Sequence, residues 1–193
     1  VQTDGALGLY EFGNSVNVRA FNLSQMGFVL NGVPMGRSDA FGGSPIFRYV
    51  DNENLASVVA SPGAGDVSAP SYSTLGPIAS YYSVDPSDEM GGMMSLTVGD
   101  DDLQRSFIKL ETGDINGFKA FVSRSKTDSD LWRGPGTIDR EHIEAKAVYA
   151  FSADTKLSFN YVSNDFFDYD SPSGTEATFD NDYHYSYLES IPE

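Results

Sequence analysis

Strict alternation of apolar and polar side chains constrains this chain more than any other feature of it. Ile143, Ala145, Ala147, Tyr149 and Phe151 fall on one side of a strand while Glu144 and Lys146 fall on the other. Leu157, Phe159 and Tyr161 then alternate with Ser158 and Asn160. A side-chain period of two belongs to a β-strand with unlike faces and does not fit a helix. Looser versions occupy residues 93–98, 105–112 and 117–125, so about five strands follow Ser87 by this pattern.

The connections between these strands are unequal. Residues 114–116 and 152–154 read as tight turns, whereas 127–140 and 164–193 read as long polar loops. Short turns on one rim and long loops on the other are how a transmembrane β-barrel is built, with the short turns periplasmic. Tyr149 and Phe151, at a strand end, suit the aromatic girdle of such a barrel. A soluble antiparallel sandwich shows the same alternation, and periodicity alone leaves both architectures open.

The first 86 residues have another texture. Gly and Pro interrupt them repeatedly, and the apolar runs between the breaks, 16–21, 27–30 and 55–60, each have the length of one short strand. Asn31 and Gly32 both tolerate positive φ and mark a tight turn, placing Phe28 and Leu30 on a strand and residues 34–45 in a loop. A helical turn is expected over 49–55, capped by Asp51 or Asn52. Together these features describe a loop-rich α+β module ahead of the strands.

Charge excludes several functions. The 12 Lys and Arg stand against 28 Asp and Glu, a formal charge of −16 that fits neither a nucleic-acid partner nor an anionic-lipid patch. The excess is concentrated after residue 86. With 40% hydrophobic and 13% aromatic residues the chain is nonetheless expected to fold. It has no cysteine, which removes disulfides, thiolate metal sites and a thiol nucleophile. No segment reaches the roughly 20 consecutive apolar residues of a spanning helix, and no signal-peptide pattern follows Val1, so any such leader is expected to have been cut off or to lie upstream.

Catalytic motifs are missing: there is no G-x-S-x-G, H-E-x-x-H or phosphate loop, so no enzyme activity, no catalytic residue and no cofactor is expected. Asp165, Asp168, Asp170, Asp180 and Asp182 are hard oxygen donors, but they lack the spacing and central glycine of a calcium loop and read as a solvated loop. His142 and His184 have no clustered partners, and no metal site is assigned.

The order of four segments carries a resemblance. NVRAF (17–21), VLNGVPMG (29–36), ENLASVVASPGAGDV (53–67) and GPIASYYSVDP (76–86) stand in the order and spacing of the VRGF, LDGVPM, IERIEVLRGP and GGVINIVTKRP segments of TonB-dependent outer-membrane receptors. Residues 14–166 are covered. The chain departs from the pattern at Ala20, Asn31, Ala60, Ser61, Tyr81 and Tyr82. The chain thus resembles part of that family, from the middle of the plug domain (1–86) into the start of the transmembrane β-barrel (87–193).

The resemblance implies a mainly β fold with an α+β plug portion and an incomplete barrel of about five antiparallel strands, in the bacterial outer membrane. It implies energy-coupled uptake of a scarce substrate such as a siderophore, cobalamin or oligosaccharide. The partners are then a TonB-type energy-coupling complex acting through a plug segment absent here, a small-molecule or metal-chelate substrate, and outer-membrane lipid. Outward plug loops place Gln25, Arg37, Asp39, Phe41 and, more remotely, Tyr72 at the substrate. Arg19 at its motif position, with Glu144 and Lys146 on the lumen side, would join plug to barrel, beside lumen-facing Ser158 and Asn160; Trp132 would pack the base of the long loop. A missing TonB box and missing strands make the chain a piece of a longer product on this reading. The alternative is a soluble secreted carbohydrate-binding β protein.

Overall fold

The computed structural model describes residues 2–4, 15–21, 25–35, 49–61, 76–169 and 174–185. Strands β1 (Gln2–Asp4) and β2 (Ser15–Asn17) form a small antiparallel pair. A four-stranded sheet follows from β3 (Gly27–Leu30), β4 (Val33–Met35), β5 (Leu55–Ala60) and β6 (Ile78–Ser83), in the order β4-β3-β6-β5. Its β3–β6 pairing is parallel and the others antiparallel. The turn between β3 and β4 is Asn31 and Gly32 at φ 49° and 85°, the positive values that favour these residue types. Central β3 is buried along its whole length, and Met26, Phe28 and Ala79 form a core with Val18, Phe21, Met35, Tyr49 and Tyr81 around it. Gly76 closes that core: a Cβ there would lie 2.8 Å from the Phe21 ring, so the Gly76 backbone can donate to the Gln25 carbonyl at 2.8 Å only without a side chain.

Five longer strands make a plain antiparallel meander: β7 (Met90–Val98), β8 (Gln104–Thr112), β9 (Phe118–Asp130), β10 (Thr137–Ser152) and β11 (Thr155–Asp168). The expected five strands are present, and the sheet does not close into a barrel. Two expected loops shrink. The connection expected over 127–140 occupies only 131–136, because β9 and β10 continue their ladder through Asp130 and Thr137. Likewise β11 extends to Asp168, and the segment beyond it carries a short helix, α1 (Glu176–Asn181). In the β9 extension, Arg124 to Asp130, both faces are polar, so the alternation that reveals a strand disappears there although the backbone bonds persist. The helical turn expected over 49–55 is a single 3-10 turn at Asn52–Asn54; Asp51 stands at its N-cap but its side chain does not cap it.

The two faces of the meander differ sharply. Outward on successive strands lie Gly92, Leu110, Val122, Ala145 and Tyr161, all cross-strand partners, and on the next outward row Met94, Ile108, Arg124, Ile143 and Ser163. One row further on are Leu96, Ser106, Lys126, Glu141 and Asp165. The apolar band therefore climbs through Leu96 and Val98 on β7 but ends at Ile143 on β10 and Tyr161 on β11. It crosses the rows obliquely, as a level band must when strands are tilted. At its lower edge Tyr149 and Phe151 meet edge to face, with centroids 4.7 Å apart. Beyond its upper edge Arg124 grips Glu141 with two bonds of 3.0 and 3.1 Å, and Lys126 pairs with Asp139.

Candidate functional site

The inward face of the meander is buried and mixes charged and hydroxyl side chains with Phe107, Phe121, Ile138 and Val148, because the four-stranded sheet and its 51–54 turn lie against it. Three inward rows define the seam. The first holds Arg105, Thr127 and Arg140; the second Phe107, Ser125 and His142; the third Lys109, Ser123 and Glu144. His142 is 0% exposed, Glu144 3% and Lys146 6%. Charged groups are found this deep only when paired or hydrogen-bonded, and the 51–54 turn supplies the partners.

Asp51, itself buried, places Oδ1 3.2 Å from Arg140 Nη1 and 3.5 Å from Arg105 Nη2. Arg105 also forks onto Glu53, with bonds of 2.5 and 3.0 Å, so one guanidinium ties two carboxylates of the turn. Three residues after Asp51, the fully buried Asn54 amide donates to Ser123 Oγ at 2.7 Å and to Glu144 Oε2 at 2.8 Å. The turn thus bridges the first and third rows, and the middle row lies beneath it.

A second group of contacts joins the end of β6 to β10 and β11. Lys146 Nζ donates to Ser83 Oγ at 3.1 Å and to the Val84 carbonyl at 3.0 Å, and lies 2.8 Å from Asp85. Lys156 reaches the other Asp85 oxygen at 3.5 Å. The hydrogen-bonded Lys146 ammonium, with help from Lys156, holds the Asp85 carboxyl below its ordinary value against the opposing effect of burial. Asn31 completes the group: its Nδ2 donates to Ser83 Oγ at 2.8 Å and more distantly to Asn160 Oδ1 at 3.5 Å, while its Oδ1 accepts from Ser83 N at 3.0 Å.

Of the residues singled out in the sequence, Glu144 and Lys146 therefore lie in this seam. Asn160 touches its edge through Asn31, and Ser158 is exposed on the inward side of β11. Arg19 lies in an exposed turn between Val18 and Phe21, at φ 51°. Gln25 is half-buried at the foot of β3. Arg37, Asp39, Phe41 and Tyr72 fall outside the described residues. Trp132 is half-exposed and packs on Tyr183 and His184, from the segment after β11; the His184 ring also meets the Trp132 carbonyl at 2.8 Å. Sequence reasoning missed Asp51, Glu53, Asn54, Arg105 and Arg140. Their signal was available in part, since Arg105 and Arg140 are cations at inward positions of strands in an acidic chain. Among the described residues no three His, Asp or Glu side chains assemble as a metal would need, and no helix is long and apolar enough to cross a membrane.

No protein-family model matches the sequence, and no curated protein matches it. Solved structures do. A pyoverdine outer-membrane receptor, FpvA from Pseudomonas aeruginosa PAO1, bound to pyoverdine, matches over 81% of this chain at TM-score 0.63 and 16% identity, using 22% of its own length. The P. aeruginosa FpvA complex with a heterologous ferric pyoverdine matches over 86% at TM-score 0.70 and 17% identity, using 21% of its length. The siderophore receptor PiuA from Acinetobacter baumannii matches over 88% at TM-score 0.66 and 14% identity, using 23% of its length. The chain spans about a fifth of these structures and shares the fold of that part of them.

Proposed function

We propose, from a fold shared with outer-membrane receptors, that this chain is the plug-and-wall portion of a TonB-dependent receptor that takes up a scarce small molecule across the bacterial outer membrane. Residues 1–86 belong to the plug on this reading, and 87–193 begin the barrel. The observation that carries it is the seam: a small mixed sheet held by charged and amide groups against the inward face of a meander whose outward face is an oblique apolar band. A hydrocarbon-facing exterior accounts for the band, and a lumen filled by a separable plug accounts for a buried contact built from hydrogen bonds. Polar groups released from such a contact are rehydrated, which offsets part of the cost of baring the apolar side chains among them, such as Phe107. The outward band also disfavours the soluble carbohydrate-binding alternative, which would hold Leu157, Phe159 and Tyr161 in water.

The cargo is a metal chelate of the siderophore class, by analogy with the FpvA and PiuA structures, and Gln25, Arg37, Asp39, Phe41 and Tyr72 are its proposed contacts on the plug. Chemistry is confined to binding and release; energy comes from a TonB-type complex pulling on the plug. The test is uptake of ferric siderophores by cells producing the full-length receptor that carries this sequence. Accumulation that stops when the proton-motive force is collapsed is expected. Binding and accumulation indistinguishable from cells lacking the receptor, across hydroxamate, catecholate and mixed chelates, would overturn the siderophore reading.

A further inference from the structure

Most of the unsatisfied buried polar atoms among the described residues gather in and around the middle row of the seam. His142 Nε2, Ser125 Oγ, Thr127 Oγ1, Asp51 Oδ2 and Asn54 Oδ1 are all buried without a hydrogen-bond partner among the described residues. All of them belong to the 51–54 turn or to the inward rows of β9 and β10 that it bridges. One of the five can change its charge near neutral pH.

The tautomer of His142 follows from its neighbours. Its Nδ1 lies 3.1 Å from Asn164 Oδ1, and Arg140 Nε donates to the same oxygen at 3.0 Å. The arginine has only protons to offer, so this atom of Asn164 is the carbonyl oxygen, an acceptor. Nδ1 of His142 therefore carries the ring proton, and Nε2 presents a bare lone pair to the buried row. A second proton can enter only at Nε2.

The surroundings do not welcome that charge. His142 is 0% exposed, and ionising a buried imidazole costs its hydration. Every carboxylate facing it is already engaged: Asp51 Oδ1 by Arg105 and Arg140, Glu53 by the Arg105 fork, and Glu144 by the Asn54 amide. The cations facing it are Arg140 on its own strand and Arg105 and Lys109 on β8; β9 contributes only hydroxyls and β11 only Asn164. Asp51 Oδ2 is the one open acceptor of negative charge, and it does not bond Nε2 in the seated arrangement. Joining them means turning a carboxylate that Arg105 and Arg140 hold through its other oxygen.

We propose that His142 is a proton-operated release for this seam: a proton taken up at Nε2 loosens the hold of the meander on the 51–54 turn. The inference deepens the plug-and-wall reading and rests on it. Acidic surroundings would then weaken the plug contact before any pull is applied, while neutral His142 leaves it seated.

Amide exchange across residues 51–60, followed by mass spectrometry in the detergent-solubilised full-length receptor at pH 8 and pH 5.5 and corrected for intrinsic rates, tests this. Opening at pH 5.5 is expected to exceed that at pH 8 several-fold, because the proton binds the released ring better than the buried one. His142→Asn keeps a donor toward Asn164 and cannot ionise. It should remove the His142 share of that rise, leaving only the pH dependence that both proteins have in common. Equal pH ratios in wild type and variant, or a wild-type seam that tightens on acidification, would overturn the proposal. Should the variant fail to assemble, the ring C2–H exchange of His142 in the wild-type protein decides: its titration midpoint must coincide with that of opening at 51–60, and separate midpoints would refute the link. No substrate is needed, so this result and the uptake result are read independently.

Discussion

Single side chains decide whether the two sheets hold together, and Asn54 is the clearest case. Its amide is the shared donor for Ser123 Oγ and Glu144 Oε2. Asn54→Ala leaves a buried carboxylate without that donor and is expected to destabilise the seam by about 2 to 3 kcal/mol, read as a lower denaturant midpoint for release of residues 51–60. Asn31 separates two roles that a sequence merges. Its positive φ serves the turn, and its side chain serves Ser83. Asn31→Gly keeps the backbone geometry and loses only the side-chain bonds, whereas Asn31→Ala also meets a left-handed backbone costing about 1 kcal/mol more. A scan of thermal midpoints should therefore rank wild type above Gly and Gly above Ala; the reverse order of the two variants would show that the turn is not strained.

At the scale of elements, the linker after β6 is clamped by charge. Asp85 is shared by Lys146 and Lys156 and its carboxyl is held below the ordinary value, the Lys146 hydrogen bond being the largest cause. A depressed acid contributes stability that is fully present above its unfolded value, about pH 4, and that is lost as pH falls through the folded value. Asp85→Asn should therefore lower stability at pH 7 modestly, since the carboxylate is half-exposed, and should flatten the stability curve below pH 4. Elements also show what was legible in advance. The five strands and the Asn31–Gly32 turn were, because alternation over Ile143–Phe151 and a positive-φ dipeptide are local signals. The upper halves of β9 and β10 were not: Arg124 to Asp130 is polar on both faces, and what keeps it extended is cross-strand pairing with Asp139 and Glu141. The seam was legible by half. Glu144 and Lys146 stand out as charges on an alternating strand, while Asp51 and Asn54 lie in a segment that reads locally as an ordinary helix cap.

For the whole molecule, the proposed receptor reading makes the outward band the boundary between a hydrocarbon environment and a watery one. Phe159 lies in the lower half of the band and Ser163 above its end on β11. In lipid vesicles Phe159→Arg is expected to cost about 2 to 4 kcal/mol and Ser163→Arg about 0 to 1, measured as folding free energies of the full-length receptor. Equal costs at both positions would mean that this face does not meet hydrocarbon. The oblique course of the band adds a constraint: on strands that flank β7 and β11 in a complete wall, the apolar positions must keep stepping along the rows at the same slope.

The hydroxyl row of β9 has one further consequence. Ser123, Ser125, Thr127 and Ser129 present small side chains between the long ones of β8 and β10, so this strand forms the floor of a trough whose banks are Arg105, Lys109, Arg140 and Lys146. The 51–54 turn is accommodated there by shape as well as by charge. Filling the floor with Ser125→Leu should lift the turn by the thickness of a side chain and part the Asp51 and Asn54 bonds together, detectable as joint loss of exchange protection at both residues. A wall that grips through its banks but yields through its floor can be unlocked from either side.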